Sequence, residues 1–402
     1  MNNNILFITY WSFNDPLIQT YTLPYIQIIR KITKGTLYLA TYEHDNSIDC
    51  IQQEKIKKKL EAEGIQWISY SYSRFGLYAF VNIISSIILL LRLSISKKID
   101  TIHCWCTPAG SIGYIISALA GKKLIIDSYE PHAESMIENR VWKKDSFAYK
   151  FLFFLEKMQA KHAQTIIGTT ESIKEYVFSK HNIKLDKFYA KPACVDLNLF
   201  SFQKKKKLEL INKYDLNNTI VCVYAGKFGG IYLEKEVFDF FQTAYDYWQG
   251  KFRVILCTSH SIHEIKKYCQ ASKLNEDAIT KIYVPHNEIA DYIGLGDFAI
   301  TPVKAIPSKR YCSPIKDGEY WALGLPVVVP PNISDDSEII EQHNIGSIWK
   351  YWDKDGHLKS IQKINQLLTT YSTDEIYKKI RLVAETYRNF SVAEKIYKDI
   401  YK

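Results

Sequence analysis

Short, fully apolar runs recur along the chain, separated by longer stretches in which polar and apolar residues mix. Such runs suit strands buried on both faces, and the stretches between them are long enough for helices. The first run is Ile5 to Thr9, followed by a polar-aromatic turn, Tyr10 to Pro16, and a helix through about Lys31. Next come Thr36 to Ala40, a basic helix from Ile48 to Glu63, Gln66 to Tyr70 and an apolar helix. Thr101 to Trp105, a helix from Ser111 to Ala120 and Lys123 to Ile126 continue the series. Phe147 to Ala163 reads as a helix carrying Glu156 among aromatics, Thr165 to Gly168 as a strand and Thr170 to Ser179 as a helix. This alternation predicts a doubly wound parallel sheet, with binding residues in the loops at the carboxyl ends of its strands.

The pattern restarts at Thr219. Strands are expected at Phe252 to Cys257, Lys281 to Val284 and Phe298 to Pro302, with helices at Glu234 to Tyr247, His260 to Ser272 and Glu288 to Leu295. Helical stretches at Ile361 to Tyr371 and Thr373 to Tyr401 close the chain, after Ser334 to Glu341. The expected fold class is therefore α/β, two Rossmann-like doubly wound domains facing across a cleft. The first domain is placed at 1–200, a linker at 201–218 and the second domain at 219–380. A C-terminal helix, 381–402, is expected to pack back on the N-terminal domain.

Composition sharpens this in a few places. The 402 residues are 47% hydrophobic and 24% charged, a globular balance. The net charge of +9 gathers in clusters such as Lys55 to Lys59, with Ile56 interposed, and Lys204 to Lys207. Clusters of this kind are solvated faces or linkers, or they attract anionic lipid or phosphorylated substrates. Eight scattered cysteines show no zinc spacing, and Cys104 and Cys106 fall on one face of a strand, so a reduced cytoplasmic setting is expected. Phe75 to Leu91 is uncharged over seventeen residues. A span takes roughly 20 residues, so a buried or interfacial helix is expected, with peripheral contact on the cytoplasmic face of the membrane.

Three loops carry candidate chemistry. Ser313-Pro314-Ile315-Lys316-Asp317-Gly318-Glu319 opens a short helix that ends at Gly324 and turns through Pro326 into the apolar Val327 to Val329. Free amides at a helix start favour an anion, and Glu319, a turn inside, suits a pair of hydroxyls. An ordinary strand-helix unit with Lys316 and Glu319 on a solvated face is the alternative. After the strand at Thr219, Gly226, Gly229 and Gly230 allow close backbone approach, and Lys227 is placed to meet a phosphate. Asp127 to His132 follows a strand's carboxyl end, which favours a functional His132. The first glycine in the chain is Gly35, too late for a dinucleotide fingerprint after the first strand.

Ala225-Gly226-Lys227, Asp291 through Pro302, and Lys316 through Val328 together resemble the family 4 retaining glycosyltransferases, which have the GT-B fold, such as those of cell-envelope polysaccharide assembly. Val195 to Phe200, Glu156 and Thr169-Thr170 also match. The resemblance implies a nucleotide-sugar donor, no cofactor and no metal. It implies His132, Lys227 and Lys316 at the reacting groups, with Gly226, Gly229, Gly230, Pro285, His286, Ser313, Pro314, Ile315 and Glu319 around the donor. Trp11, Ser12 and Phe13 stand where the family has a glycine-rich loop on the acceptor side. Tyr311 stands where the family has the first of its paired glutamates. The implied function is transfer of a sugar to a lipid-linked or polysaccharide-precursor acceptor, without nucleic acid. A GT-B nucleotide-sugar epimerase and an inactive sugar-nucleotide-binding protein are the alternatives.

Overall fold

The computed structural model describes residues 3–44, 48–72 and 77–402. They form two compact units, Met1–Pro192 with Ser391–Lys402, and Ala193–Phe390. The lysine-rich run 204–207 lies inside the second.

The first unit begins β1 (Asn4–Ile8), α1 (Leu23–Ile32), β2 (Leu37–Glu43), α2 (Cys50–Ala62), β3 (Ile65–Ser71), α3 (Leu77–Ser96) and β4 (Ile99–Trp105). It continues α4 (Cys106–Ala120), β5 (Lys123–Tyr129), α5 (His132–Glu138), α6 (Phe147–His162), β6 (Thr165–Gly168), α7 (Ile173–His181) and β7 (Phe188–Ala190). Its strands run parallel in the order β3-β2-β1-β4-β5-β6-β7. Strand order reverses between β1 and β4, where a doubly wound sheet opens its binding crevice.

The second unit contains α8 (Leu208–Lys213), β8 (Ile220–Ala225), α9 (Lys235–Tyr247), β9 (Phe252–Cys257), α10 (Ile262–Ser272), β10 (Ile279–Ile282) and α11 (His286–Ile293). It goes on with β11 (Phe298–Ile300), α12 (Ile315–Ala322), β12 (Val327–Val329), α13 (Asp336–His343), β13 (Gly346–Ile348), α14 (Lys354–Thr370) and α15 (Thr373–Tyr387). Its order is β10-β9-β8-β11-β12-β13, again parallel, with the reversal between β8 and β11. Chain direction breaks after Tyr387, and α16 (Phe390–Ile400) carries the chain back into the first unit. The continuous helix expected from Thr373 to Tyr401 is thus two helices.

Two further expectations change. The apolar helix, whose expected first residues Phe75 and Gly76 lie outside the described residues, is α3, and of the two alternatives expected for it, buried or interfacial, burial does not hold. Its inward positions are Ser86, Leu90 and Ser94, while Val81, Ile84, Ile88 and Ile95 are exposed. The lysine run 204–207, expected as part of a linker, instead docks on carboxylates of its own unit. Lys204 and Lys207 reach Asp291 at 3.0 and 2.7 Å, and Lys206 reaches Asp297 at 2.8 Å.

A buried polar knot closes the first unit at the carboxyl ends of β4 and β5. The Asp127 carboxylate faces Lys191 Nζ at 3.2 Å and His103 Nε2 at 3.4 Å, and accepts a hydrogen bond from Tyr397 of α16 at 2.6 Å. Tyr401, just past α16, meets His103 Nδ1 at 2.6 Å. Lys191 Nζ lies 3.6 Å from the centre of the Tyr25 ring. Burial alone would raise the Asp127 carboxyl, yet Lys191, His103 and Tyr397 outweigh it and hold it at about 2. A carboxyl held below its unfolded value stabilises the fold above that value, and the contribution is lost as pH falls toward about 2. Removing the cation strands a buried anion, so Lys191→Met is expected to cost about 3 to 5 kcal/mol in urea denaturation. Acid titration of the melting temperature should lose its steep fall below pH 4 in that variant.

Candidate functional site

The second unit builds its site where strand order reverses. β8 ends at Ala225, and Gly226 follows at a point where a side chain does not fit. A Cβ there would stand 2.7 Å from the Tyr224 hydroxyl and 2.8 Å from Lys316 Nζ. Gly229 and Gly230 take positive φ angles of 80° and 61°, the left-handed region that glycine enters without strain. The turn is pinned from both sides. The Tyr224 hydroxyl donates to the Lys227 carbonyl at 2.5 Å, and the Phe228 amide donates to His260 Nε2 at 2.9 Å. The Lys227 side chain is exposed.

Helix α12 arrives opposite this turn. Pro314 stands at its N-cap position, and no side chain among the described residues caps its first amides. The Tyr320 hydroxyl accepts from the Ala225 amide at 2.9 Å and ties the helix to the end of β8. Lys316 projects back across the turn, its ammonium 4.8 Å from the Tyr224 ring centre and 4.3 Å from that of Tyr232. Burial would lower the Lys316 pKa, but Tyr224, Tyr232 and Asp317 raise it overall, so a fixed cation stands beside Gly226. Lys316 is therefore not on a solvated face.

Glu319 is also largely buried, with 8% exposure, and its Oε1 lies 3.0 Å from His286 Nε2. His286 opens α11 behind Pro285, and the Phe200 ring packs edge-on against it. The hydrogen bond that His286 donates to the Glu319 carboxylate raises the His286 pKa despite partial burial. Sequence reasoning named both residues without foreseeing their contact, because they are 33 positions apart.

Beneath α12 lies a group that sequence reasoning missed. Asp317 accepts from the Thr301 hydroxyl just after β11, and Asp336 accepts from Arg388. Arg388 also donates to Ser313 Oγ and, at 3.2 Å, to the Ala193 carbonyl, while Ser313 Oγ accepts from the Ala193 amide at 3.0 Å. Burial raises the pKa of both carboxyls, and the charge of Asp317 raises that of Asp336 further. Two buried carboxyls beside one guanidinium retain a proton between them. A residue pair such as Thr301 and Asp317 leaves no local sequence signal beyond a polar residue at a strand end.

In the first unit, Trp11, Ser12 and Phe13 are held by buried Glu43 at the end of β2. Ser12 Oγ donates to its carboxylate, and the Phe13 amide donates to it at 3.0 Å. The Trp11 carbonyl accepts from the Tyr42 amide at 3.2 Å. His132 is the first residue of α5, and its Nδ1 stands 3.0 Å from Glu130 Oε1. Glu156 of α6 fixes this loop from inside by accepting from the Ala133 amide at 2.8 Å.

Among the described residues no group of three or more His, Cys, Asp or Glu side chains is placed to hold a metal ion. The chain contains one Asp-x-Asp triplet, Asp353-Lys354-Asp355, at the start of α14. Asp353 caps α14, accepting from the Gly356 amide at 2.8 Å.

No protein-family model matches the chain, and no curated protein matches it by sequence. Its fold, however, matches solved structures over essentially their full lengths. HepE of Anabaena, in complex with UDP, superposes with a TM-score of 0.71 at 13% identity, covering 99% of each chain. A glycosyltransferase from Rickettsia africae gives 0.69 at 15% identity and 100% of each chain. Sucrose-phosphate synthase from Thermosynechococcus elongatus gives 0.71 at 13%, over 99% of this chain and 98% of that one. The chain thus has the GT-B fold, two parallel Rossmann-like sheets flanked by helices.

The His286 and Glu319 pair yields a direct test. Because the His286 pKa is raised, the pair contributes most below about pH 6.5, and its contribution fades as pH rises through the higher folded value. An NMR titration should place the His286 midpoint above 6.5, and Glu319→Gln should move it down. A midpoint unmoved by that substitution would contradict the contact.

Proposed function

We propose that the protein is a retaining glycosyltransferase that takes a nucleoside diphosphate sugar in its second unit. The observation that carries this reading is the Lys316 ammonium, braced by Tyr224 and Tyr232 against the Gly226 turn. A preset cation, uncapped helix amides and a glycine turn converge where strand order reverses, an arrangement suited to a diphosphate. Glu319, one turn into α12, is positioned to accept from ribose hydroxyls. His286 hydrogen-bonds the same carboxylate, and Pro285 and His286 border the nucleobase. HepE, which shares the fold, has been solved with UDP and with UDP-glucose, which favours a uridine or related hexose donor as the first probe.

In the proposed step the bond from the anomeric carbon to the diphosphate oxygen breaks, and a bond to the acceptor hydroxyl forms on the same face. The acceptor's proton passes to the departing phosphate oxygen. Lys316, with Lys227 at the edge of the turn, stabilises the negative charge that develops on the leaving group. By the family resemblance, His132 has a part at the reacting groups and the Trp11 to Phe13 loop belongs to the acceptor side. The reading needs no cofactor or metal, because lysine and amide groups supply the required charge. The acceptor is a lipid-linked or polysaccharide-precursor glycan at the cytoplasmic side of the envelope. Tyr311 replaces a carboxylate that would contact the donor sugar, so this chain reads that sugar with different groups from its relatives in family 4.

The test is incubation with a panel of UDP-, GDP- and ADP-sugars, scoring slow hydrolysis in the absence of acceptor. One donor should turn over. Lys316→Ala should lower that turnover about 10²-fold or more, the scale for losing one preorganised charge partner, in protein shown by circular dichroism to be folded at the assay temperature. Tight nucleotide binding without turnover of any donor would favour an inactive binding protein instead. Separately, Glu319→Ala should weaken nucleotide binding by about 1 to 3 kcal/mol in calorimetry. Unchanged affinity would remove Glu319 from the ribose.

A further inference from the structure

Helix α3 is oriented against its own composition. A surface helix normally turns its apolar stripe to the core and its polar stripe to water. Here the buried stripe is Ser86, Leu90 and Ser94, spaced four apart. The Ser86 hydroxyl meets that of Tyr42 at 2.8 Å, and Ser94 donates to the Leu90 carbonyl at 2.7 Å. Val81, Ile84, Ile88, Leu89 and Ile95 face outward, Ile95 with 63% exposure. A shallow apolar groove runs along this face from Phe80 to Arg92. No aspartate or glutamate occurs in α3 or in α4, which packs beside it.

The same layer continues through α6, on the other side of α4. Phe147, Phe151 and Phe154, spaced along one stripe, are exposed, Phe147 by 80%. The one carboxylate of α6, Glu156, is buried. The exposed charges on α3 and α6, with Lys97 and Lys98 just after α3, are Arg92, Lys97, Lys98, Lys150, Lys157 and Lys161, all positive; the nearest exposed carboxylates in sequence, Asp100 and Asp145, lie off the helices. An apolar ridge set among cations, with no exposed carboxylate on its helices, complements an anionic lipid surface.

We propose that this face of the first unit docks on a bilayer containing anionic phospholipid. The exposed aliphatic and phenyl groups enter the interfacial region, and the flanking lysines and Arg92 pair with headgroup phosphates. The contact is peripheral. α3 is the crossover between β3 and β4 of one sheet and packs on both strands and on α4, so it lies along the surface and does not span it. A second copy of the chain would have to match this ridge with a self-complementary face while bringing like charges together, which disfavours it.

The full-length protein is sedimented with vesicles of phosphatidylcholine and phosphatidylglycerol in equal amounts, and with pure phosphatidylcholine. Binding to the mixed vesicles is expected to exceed binding to the neutral ones by about tenfold or more, and to fall in 0.5 M salt. Ile84→Glu with Ile88→Glu should reduce partitioning about tenfold or more, with melting temperature and nucleotide affinity unchanged because both sites are exposed. Arg92→Glu with Lys97→Glu and Lys98→Glu should reduce it on mixed vesicles alone. Equal binding by the isoleucine variant and the parent, or no vesicle binding by the parent, overturns the proposal. So does a lipid-independent dimer that the isoleucine variant dissolves. The readout is independent of donor turnover, so either proposal can fail alone.

Discussion

The second unit depends on one buried guanidinium. Arg388 is fully excluded from water, lies 5.2 Å from the Trp321 ring centre and donates to Asp336, Ser313 and the Ala193 carbonyl. Its own carbonyl accepts from the Val195 amide at 2.8 Å, and Val195 pairs with Asn389 in an isolated parallel bridge. The place where the chain enters this unit and the place where it leaves are thereby fastened together. Both are fastened to the start of α12, through Ser313. A buried cation of this kind is costly unless it is paired, and here carbonyl, hydroxyl and carboxyl oxygens accept from both terminal nitrogens while an aromatic ring lies beside the guanidinium, with Nε alone left without an acceptor among the described residues. The geometry of α12, and with it Lys316 and Glu319, is inherited from that arrangement.

The first unit solves the same problem with different residues. Lys191 takes the part of the cation, Asp127 that of the anion, and the Tyr25 ring that of the aromatic face. In both units the charged cluster sits at or next to the carboxyl ends of central strands, where parallel sheets leave polar backbone ends to be satisfied. The clusters also couple segments far apart in sequence, 270 positions for Tyr397 and Asp127. Hydrophobic burial could bring such segments together, but it would not fix their register as directional bonds do.

What could be read from sequence follows from how local each determinant is. Ile5 to Ile8 and Val221 to Tyr224 are apolar throughout, and both proved to be central strands. The edge strands β7 and β13 have three residues each, too few to mark a pattern. α5 was missed because part of its start is held by Glu156, 23 positions away. The glycine turn and Lys316 were each recognised, but the brace between them comes from Tyr224 and Tyr232. Those are aromatic residues that look like ordinary core in a linear reading. α3 was recognised as a helix, buried or interfacial, and the serines that face inward carry no periodic signal strong enough to decide between the two. Asp317 and Asp336 were invisible as a pair, since nothing short of the fold brings β11, α12 and α13 together.

The return of α16 to the first unit has a consequence for how the protein is made. Residues 1–192 emerge from the ribosome first, yet Tyr397 and Tyr401, which complete the hydrogen bonding of Asp127 and His103, are separated from them by the whole second unit. At about 5 to 20 residues per second, synthesis of the intervening stretch of roughly 200 residues takes about 10 to 40 s. During that time Asp127 and His103 are without their tyrosine partners. The second unit, whose own entry and exit are joined by Arg388, lacks no residue of its own once Phe390 has emerged. The order of completion is therefore the reverse of the order of translation, and the unit begun first is finished last.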